Sequence, residues 1–298
     1  MQSKKAYLFP GQGSQFIGMG KDIYENSVKG KELFDYANQL IQFPITDIMF
    51  NGPEEALKKT DAAQLAIFLH SFILTQISKD FSPDVVAGHS LGEITALAAA
   101  KIITFEEAIE LIKNRGKAMD EACQSNPSTM AAVLGLEDEV IEDACNTIGY
   151  EQVMPVNYNC PGQVVISGTI KGVEQAQTKL YELGAKKIVL LNVSGGFHTP
   201  LMNSAKEKLK AIIEPMNFRK GIAPICQNRT SEITSNVEEI KANLIEHITS
   251  PVLWHQSINT MKNFGVNNFI ECSTTKILQN LLKKILTSDE AAYYNISY

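Results

Sequence analysis

Three side chains in this sequence stand where they could do covalent chemistry on a carbonyl group. Gly88-His89-Ser90-Leu91-Gly92 fits G-x-S-x-G, a pattern that lifts a serine onto a sharp turn with its hydroxyl exposed. The pattern alone is common, and its force here comes from its flanks. Asp84-Val85-Val86-Ala87 reads as a short buried parallel strand, and Leu91 to Ile102, rich in Ala and Leu, starts a good helix. A helix beginning under Ser90 aims its free N–H groups and the positive end of its dipole at the reacting atom. His198 lies in Ser194-Gly195-Gly196-Phe197-His198-Thr199-Pro200, a Gly-rich loop between an expected strand and an expected helix. A histidine there is placed to be a general base, or simply to face solvent. Arg115 shares a helix face with Phe105, Ala108, Ile112, Gly116 and Met119. A buried guanidinium needs an anion: a carboxylate of the protein, the commoner case, or one brought by a ligand.

The order Ser then His invites a third, acidic member between them at a strand end. Asp120, Asp138 and Asp143 fall on expected helices, so a backbone carbonyl is the expected orienter of His198. A first strand, Lys5 to Phe9, runs into Pro10-Gly11-Gln12-Gly13-Ser14-Gln15. That loop lacks the ending of a phosphate loop and the spacing of a dinucleotide loop, and its plain reading is a tight turn. Loops at one end of a parallel sheet converge, however, so Gln12 could offer a backbone N–H opposite that of Leu91.

Residues 21–80 read as helical, broken at Pro44 and at Asn51-Gly52-Pro53. The most apolar part, Leu65 to Ile77, is opened by Gln64 and is expected to pack under Ser90; His70 within it reads as a packed or surface histidine. Thr104-Phe105-Glu106-Glu107 is a capping box starting a helix to about Ala122. From 128 to 193 the rhythm becomes β-α-β-β-α-β, the ferredoxin-like pattern. Helices over 203–214, 237–248, 256–263 and 276–286 and strands over 224–228 and 268–272 follow, and the tail to Tyr298 is expected to be loosely held. The expected fold is α/β: a large α/β-hydrolase-like domain (1–127 and 195–298) with a central parallel sheet and a nucleophile elbow, plus a small inserted ferredoxin-like βαββαβ domain (128–194).

A net charge of −6 argues against non-specific nucleic-acid binding. Five scattered cysteines without a CxxC pair suggest free thiols in a reducing cytoplasm, with neither a disulfide framework nor a zinc site. No signal peptide and no membrane-spanning apolar run are visible.

GQGSQ (11–15), GHSLGE (88–93), RGKAM (115–119), MAAVLGL (130–136), NCPGQVVISG (159–168), GGFH (195–198) and SPVLW (250–254) occur in this order. With them the chain resembles malonyl-CoA:acyl carrier protein transacylases down to about residue 286. The resemblance implies Ser90 as nucleophile, His198 as base, and the N–H groups of Gln12 and Leu91 as an oxyanion hole. It implies that Arg115 grips the malonyl carboxylate and that His89 and Gln64 line the pocket. Phe197, beside the malonyl α-carbon, and His247, whose main chain faces His198, complete the binding set. Malonyl would pass from CoA to Ser90 and then to the phosphopantetheine thiol of an acyl carrier protein domain of a synthase, with malonyl-CoA as substrate and neither metal nor bound cofactor. GGFH is similar to the GAFH-type loop of malonyl-specific acyltransferases of polyketide synthases, and QNRTSEIT followed by SPVLW to the free-standing acyltransferases that serve such synthases in trans, which implies service to a polyketide or a fatty-acid synthase. Beginning at Met1 and ending soon after its last helix, the chain reads as a discrete, monomeric enzyme. It departs from the family at His247, where Gln is frequent, and at Ala63-Gln64-Leu65-Ala66, where TQPA is frequent. The rival reading is an acyl hydrolase that clears stalled carrier proteins; Arg115 weighs against it, because neutral acyl groups have no use for a guanidinium.

Overall fold

A computed structural model describes residues 3–298. The strands are β1 (Lys4–Phe9), β2 (Val85–Gly88), β3 (Ser128–Leu134), β4 (Val153–Cys160), β5 (Gln163–Thr169), β6 (Lys187–Leu190), β7 (Ile225–Cys226), β8 (Ile233–Thr234), β9 (Val266–Glu271) and β10 (Ala292–Asn295). The helices are α1 (Lys21–Asn26), α2 (Val28–Ile41), α3 (Ile45–Asn51), α4 (Glu54–Leu57), α5 (Thr60–Ile77), α6 (Leu91–Ala99), α7 (Phe105–Ser125), α8 (Asp138–Ile148), α9 (Ile170–Glu182), α10 (Asn203–Ile213), α11 (Val237–Glu246), α12 (Trp254–Asn263) and α13 (Ile277–Ile285).

The main sheet has the order β10-β9-β1-β2-β7-β8 and is parallel except for β8. Its central strands are apolar on both faces, as strands covered on both sides must be. Tyr7, Phe9 and Val86 point into one core, shared with α5, α6 and α7, whereas Ala6, Leu8, Val85 and Ala87 point into another, built on Trp254, Ile258 and Leu282 of α12 and α13. The second sheet, β4-β5-β3-β6, is antiparallel throughout and in the ferredoxin-like order. Ala131, Val133, Val164 and Ile166 face α8 and α9, while Met130 and Val165 join the core of the larger layer. The second sheet is tied to the segment before α12: Val252 N donates to Val156 O and Tyr158 N to Val252 O, at 2.7 and 3.0 Å.

The tail is not loose. Ala292–Asn295 pairs in parallel with Asn268–Glu271, and the Asn295 side chain donates to the carbonyls of Ser273 and Thr275. The edge of β9 presents unpaired N–H and C=O groups, and the tail satisfies them. β6 stops at Leu190, three residues earlier than the apolar run suggests, because Leu191, Asn192 and Val193 leave the sheet to line a cleft.

The capping box forms as its spacing predicts, with Thr104 Oγ1 accepting Glu107 N–H and Glu107 Oε2 accepting Thr104 N–H. It starts α7, which lies against α5 so closely that a Cβ on Gly116 would sit 2.8 Å from Asp61 Cα. That approach fixes the height of the neighbouring Arg115. Gly116→Ala should therefore destabilise the fold by about 1–3 kcal/mol in urea unfolding, as overpacking does. An unchanged unfolding midpoint would show that α7 has room to move.

Candidate active site

Ser90 stands at the junction of β2 and α6 with φ 52° and ψ −110°, a strained conformation for a residue with a side chain. The chain can pass only because both flanks are glycine. A Cβ on Gly88 would lie 1.9 Å from the Gly92 carbonyl, and one on Gly92 would lie 2.0 Å from Phe9 O. The first turn of α6 then starts beneath the hydroxyl, where helix geometry leaves N–H groups without intrahelical partners.

His198 Nε2 lies 2.8 Å from Ser90 Oγ, and its Nδ1 lies 3.1 Å from His247 O and 3.0 Å from Ser250 O. Carbonyls only accept, so Nδ1 carries the proton and donates to them, and Nε2 is free to accept from the serine hydroxyl. Among the described residues no carboxylate is bonded to the ring; the orienter is main chain. The loop that bears His198 is fastened by the second sheet. Gly196 N donates to Ser128 Oγ at 2.7 Å, and Ser167 Oγ donates to Phe197 O at 2.9 Å. Burial, and next the charge of Arg115, push the His198 pKa down to about 3, so the ring is neutral at ordinary pH.

Arg115 is 3% exposed and points Nη2 at Ser90 Oγ, 3.3 Å away. Among the described residues it makes no ion pair. The nearest acid it feels is Glu93; burial lowers the guanidinium to about 10, opposed by that carboxylate, and leaves it charged. Glu93 itself is buried, which pushes its carboxyl up to about 7 against the pull of hydrogen bonds from Asn228 and Gln227.

The cleft over Ser90 has a volume of about 390 Å³ and is lined by Gln12, His89, Leu91, Arg115, Met119, Met130, Phe197 and His198, with Lys58 toward its mouth. His89 is held by Asn159, Nε2 to Oδ1 at 2.8 Å, and packs edge-on to Trp254. Gln64 is a layer further back: its Nε2 donates to Met119 Sδ at 3.4 Å and its Oε1 has no partner. The His247 side chain is also behind the cleft, 5.3 Å ring to ring from His198, with Nε2 unpartnered. His70 is packed, as the plainer of its readings has it. Three contributors went unread in the sequence: Ser128 and Ser167, which hold the base loop, and Asn228, which bonds the elbow. Asn228 sits in the QNRTSEIT run and Glu93 in GHSLGE, so both motifs contained a signal. Among the described residues, no group of three or more His, Cys, Asp or Glu side chains is arranged to hold a metal ion.

The sequence profile of the acyl transferase domain family matches residues 6–296, which carries the likeness through β10. A malonyl CoA-acyl carrier protein transacylase of Bacillus subtilis is 41% identical over 287 residues, covering 95% of this chain and 90% of the relative. An acyl carrier protein S-malonyltransferase from Vibrio cholerae superposes with a TM-score of 0.93 at 35% identity, covering 99% of this chain and 97% of the other. A malonyl-transacylase solved in complex with a type II polyketide synthase acyl-carrier protein superposes at 0.92 with 33% identity, covering 99% and 96%.

The depressed pKa of His198 gives a direct test. Its folded value lies below the ordinary 6.5, so the stability tied to the neutral ring is fully present above that pH and is lost as pH falls toward 3. Nitrogen NMR should show His198 as the neutral Nδ1–H tautomer still at about pH 5, well below the ordinary histidine value. A doubly protonated ring at that pH would contradict the assignment.

Proposed function

We propose that this chain, which belongs to the acyl transferase domain family, works by two successive acyl transfers through Ser90. It moves a malonyl group from malonyl-CoA to the phosphopantetheine thiol of an acyl carrier protein. In the first transfer His198 Nε2 takes the Ser90 proton as Oγ attacks the thioester carbonyl. The N–H groups of Gln12 and Leu91 receive the oxyanion. Collapse expels the CoA sulfur, which takes the proton back from Nε2, and leaves malonyl-Ser90. In the second transfer His198 removes the proton of the carrier thiol, the sulfur attacks the ester, and Ser90 Oγ leaves with the proton.

The observation that carries the malonyl assignment is Arg115: a buried, charged guanidinium 3.3 Å from the nucleophile and without an ion-pair partner among the described residues. The carboxylate of malonate supplies that partner bidentately. A hydrolase acting on neutral acyl groups would leave it unpaired, which disfavours that rival. Phe197, at the cleft wall, crowds the malonyl α-carbon, while His89 and Gln64 support the pocket and His247 serves through its carbonyl. Residues 1–127 and 195–298 act as the catalytic unit and 128–194 as an inserted unit that secures the base loop. The Gly195-Gly196-Phe197-His198 loop favours service to a polyketide synthase over a fatty-acid synthase, and QNRTSEIT followed by SPVLW favours service in trans. Five buried, unpaired cysteines favour the cytoplasm, and among the described residues no helix is long and apolar enough to cross a membrane.

Intact mass after incubation with malonyl-CoA or acetyl-CoA tests the assignment. The wild-type chain should gain a malonyl group and Ser90→Ala none. Arg115→Ala should lose malonyl loading by about a hundredfold, the scale of a charged partner left unpaired, while keeping acetyl loading. Equal loss of both acyl groups would make Arg115 structural, and a mass gain on Ser90→Ala would displace the nucleophile.

A further inference from the structure

The two glycines permit the Ser90 conformation, but permission does not hold it. Asn228 grips it with a single side chain. Its Oδ1 accepts the Ser90 N–H at 2.7 Å and its Nδ2 donates to Gly88 O at 2.6 Å, so one amide holds the two successive peptide groups that flank His89 and lead into the strained Ser90. Asn228 follows β7, the strand beside β2, and is fully buried. Its backbone N–H donates in turn to Glu93 Oε2 at 2.7 Å, and Glu93 is the third residue of α6, the helix that leaves the elbow. The other carboxylate oxygen accepts Gln227 Nε2 at 3.3 Å. The circuit closes on itself: elbow to Asn228, Asn228 to Glu93, and Glu93 back along α6 to the elbow. A buried carboxylate persists only when its oxygens are satisfied, and here both are spent on the segment that carries Asn228.

This arrangement has two effects on chemistry. The Ser90 N–H is occupied by Asn228 and turned away from the cleft, which leaves the Leu91 N–H as the first one of the elbow available to an oxyanion. The hydroxyl is also held in line with His198 Nε2, at 2.8 Å, where a displacement of about 1 Å costs on the order of a hundredfold in rate.

We propose that Asn228, backed by the Glu93 carboxylate, is the positioning residue that holds the Ser90 hydroxyl in its attacking geometry. The proposal rests on the reading of Ser90 as nucleophile. A purely structural Asn228 would alter stability and leave each folded molecule as reactive as before; a positioning Asn228 lowers kcat and leaves KM in place.

The test uses a small fluorophosphonate, which phosphonylates a reactive serine and has neither a carboxylate for Arg115 nor a CoA moiety. The labelling rate at Ser90 is read beside kcat and KM for malonyl-CoA. Asn228→Ala should label about a hundredfold more slowly than wild type, with kcat falling in parallel and KM within about twofold. Asn228→Asp keeps the acceptor for Ser90 N–H but turns an oxygen toward Gly88 O, and should fall between the two. It decides the matter alone if Asn228→Ala does not fold. Wild-type labelling rates in a folded variant, or a loss seen only as a raised KM, would overturn the proposal. Failure of the wild-type chain itself to label at Ser90 would instead remove the nucleophile reading, and this proposal with it.

Discussion

Three stretches of backbone pass one another at van der Waals distance near Ser90, and the rest of the site depends on that passage. The end of β1 presents Phe9 O to α6 at a spacing that only glycine at position 92 allows, and the same oxygen accepts the His89 N–H at 2.9 Å. A Cβ on Gly88 would in turn collide with the Gly92 backbone, the start of α6. Once β1, β2 and α6 are locked in this way, the loop after β1 has nowhere to go but alongside the elbow. That is how Gln12 and Leu91 come to line one cleft from opposite sides.

The electrostatics of the cleft follow from burial. His198, His89 and His247 are all pushed toward the neutral form, chiefly by desolvation. Arg115 remains positive beside Ser90, and the carboxylate whose charge it feels, Glu93, is already occupied by Asn228 and Gln227. A buried charge deprived of its partner is a destabilising feature, worth roughly 3–5 kcal/mol where partners have been removed from buried pairs. The site therefore holds an unmet demand for an anion within reach of the nucleophile. On the proposed reading, an acyl group with a terminal carboxylate would meet it, and a neutral one would leave the cost standing. The same proposed pairing would also relieve the pressure that Arg115 places on His198.

Much of this was legible in the sequence because it is local. The elbow is written in two glycines and a strand-to-helix change of rhythm, the α7 start in a capping box, and the second sheet in its order of strands. What was not legible is non-local. Arg115 on an apolar stripe could have met a protein carboxylate, and only the folded chain shows that, among the described residues, none pairs with it. The orienter of His198 is two carbonyls some fifty residues away, with no side-chain signature of their own. Asn228 after a short strand reads as a turn former, since its two partners lie about 140 residues back. The tail misled for a related reason: Ala292–Asn295 is too short and mixed to announce a strand, and its partner edge exists only after β9 has docked on β1.

The proposed chemistry passes the acyl group to a thiol rather than to water. Isolated malonyl-enzyme, chased with a phosphopantetheine-bearing acyl carrier protein and followed by mass, measures that choice. The malonyl mass should leave the enzyme and appear on the carrier, with free malonate a minor product. Release of malonate at the same rate with and without the carrier would contradict it.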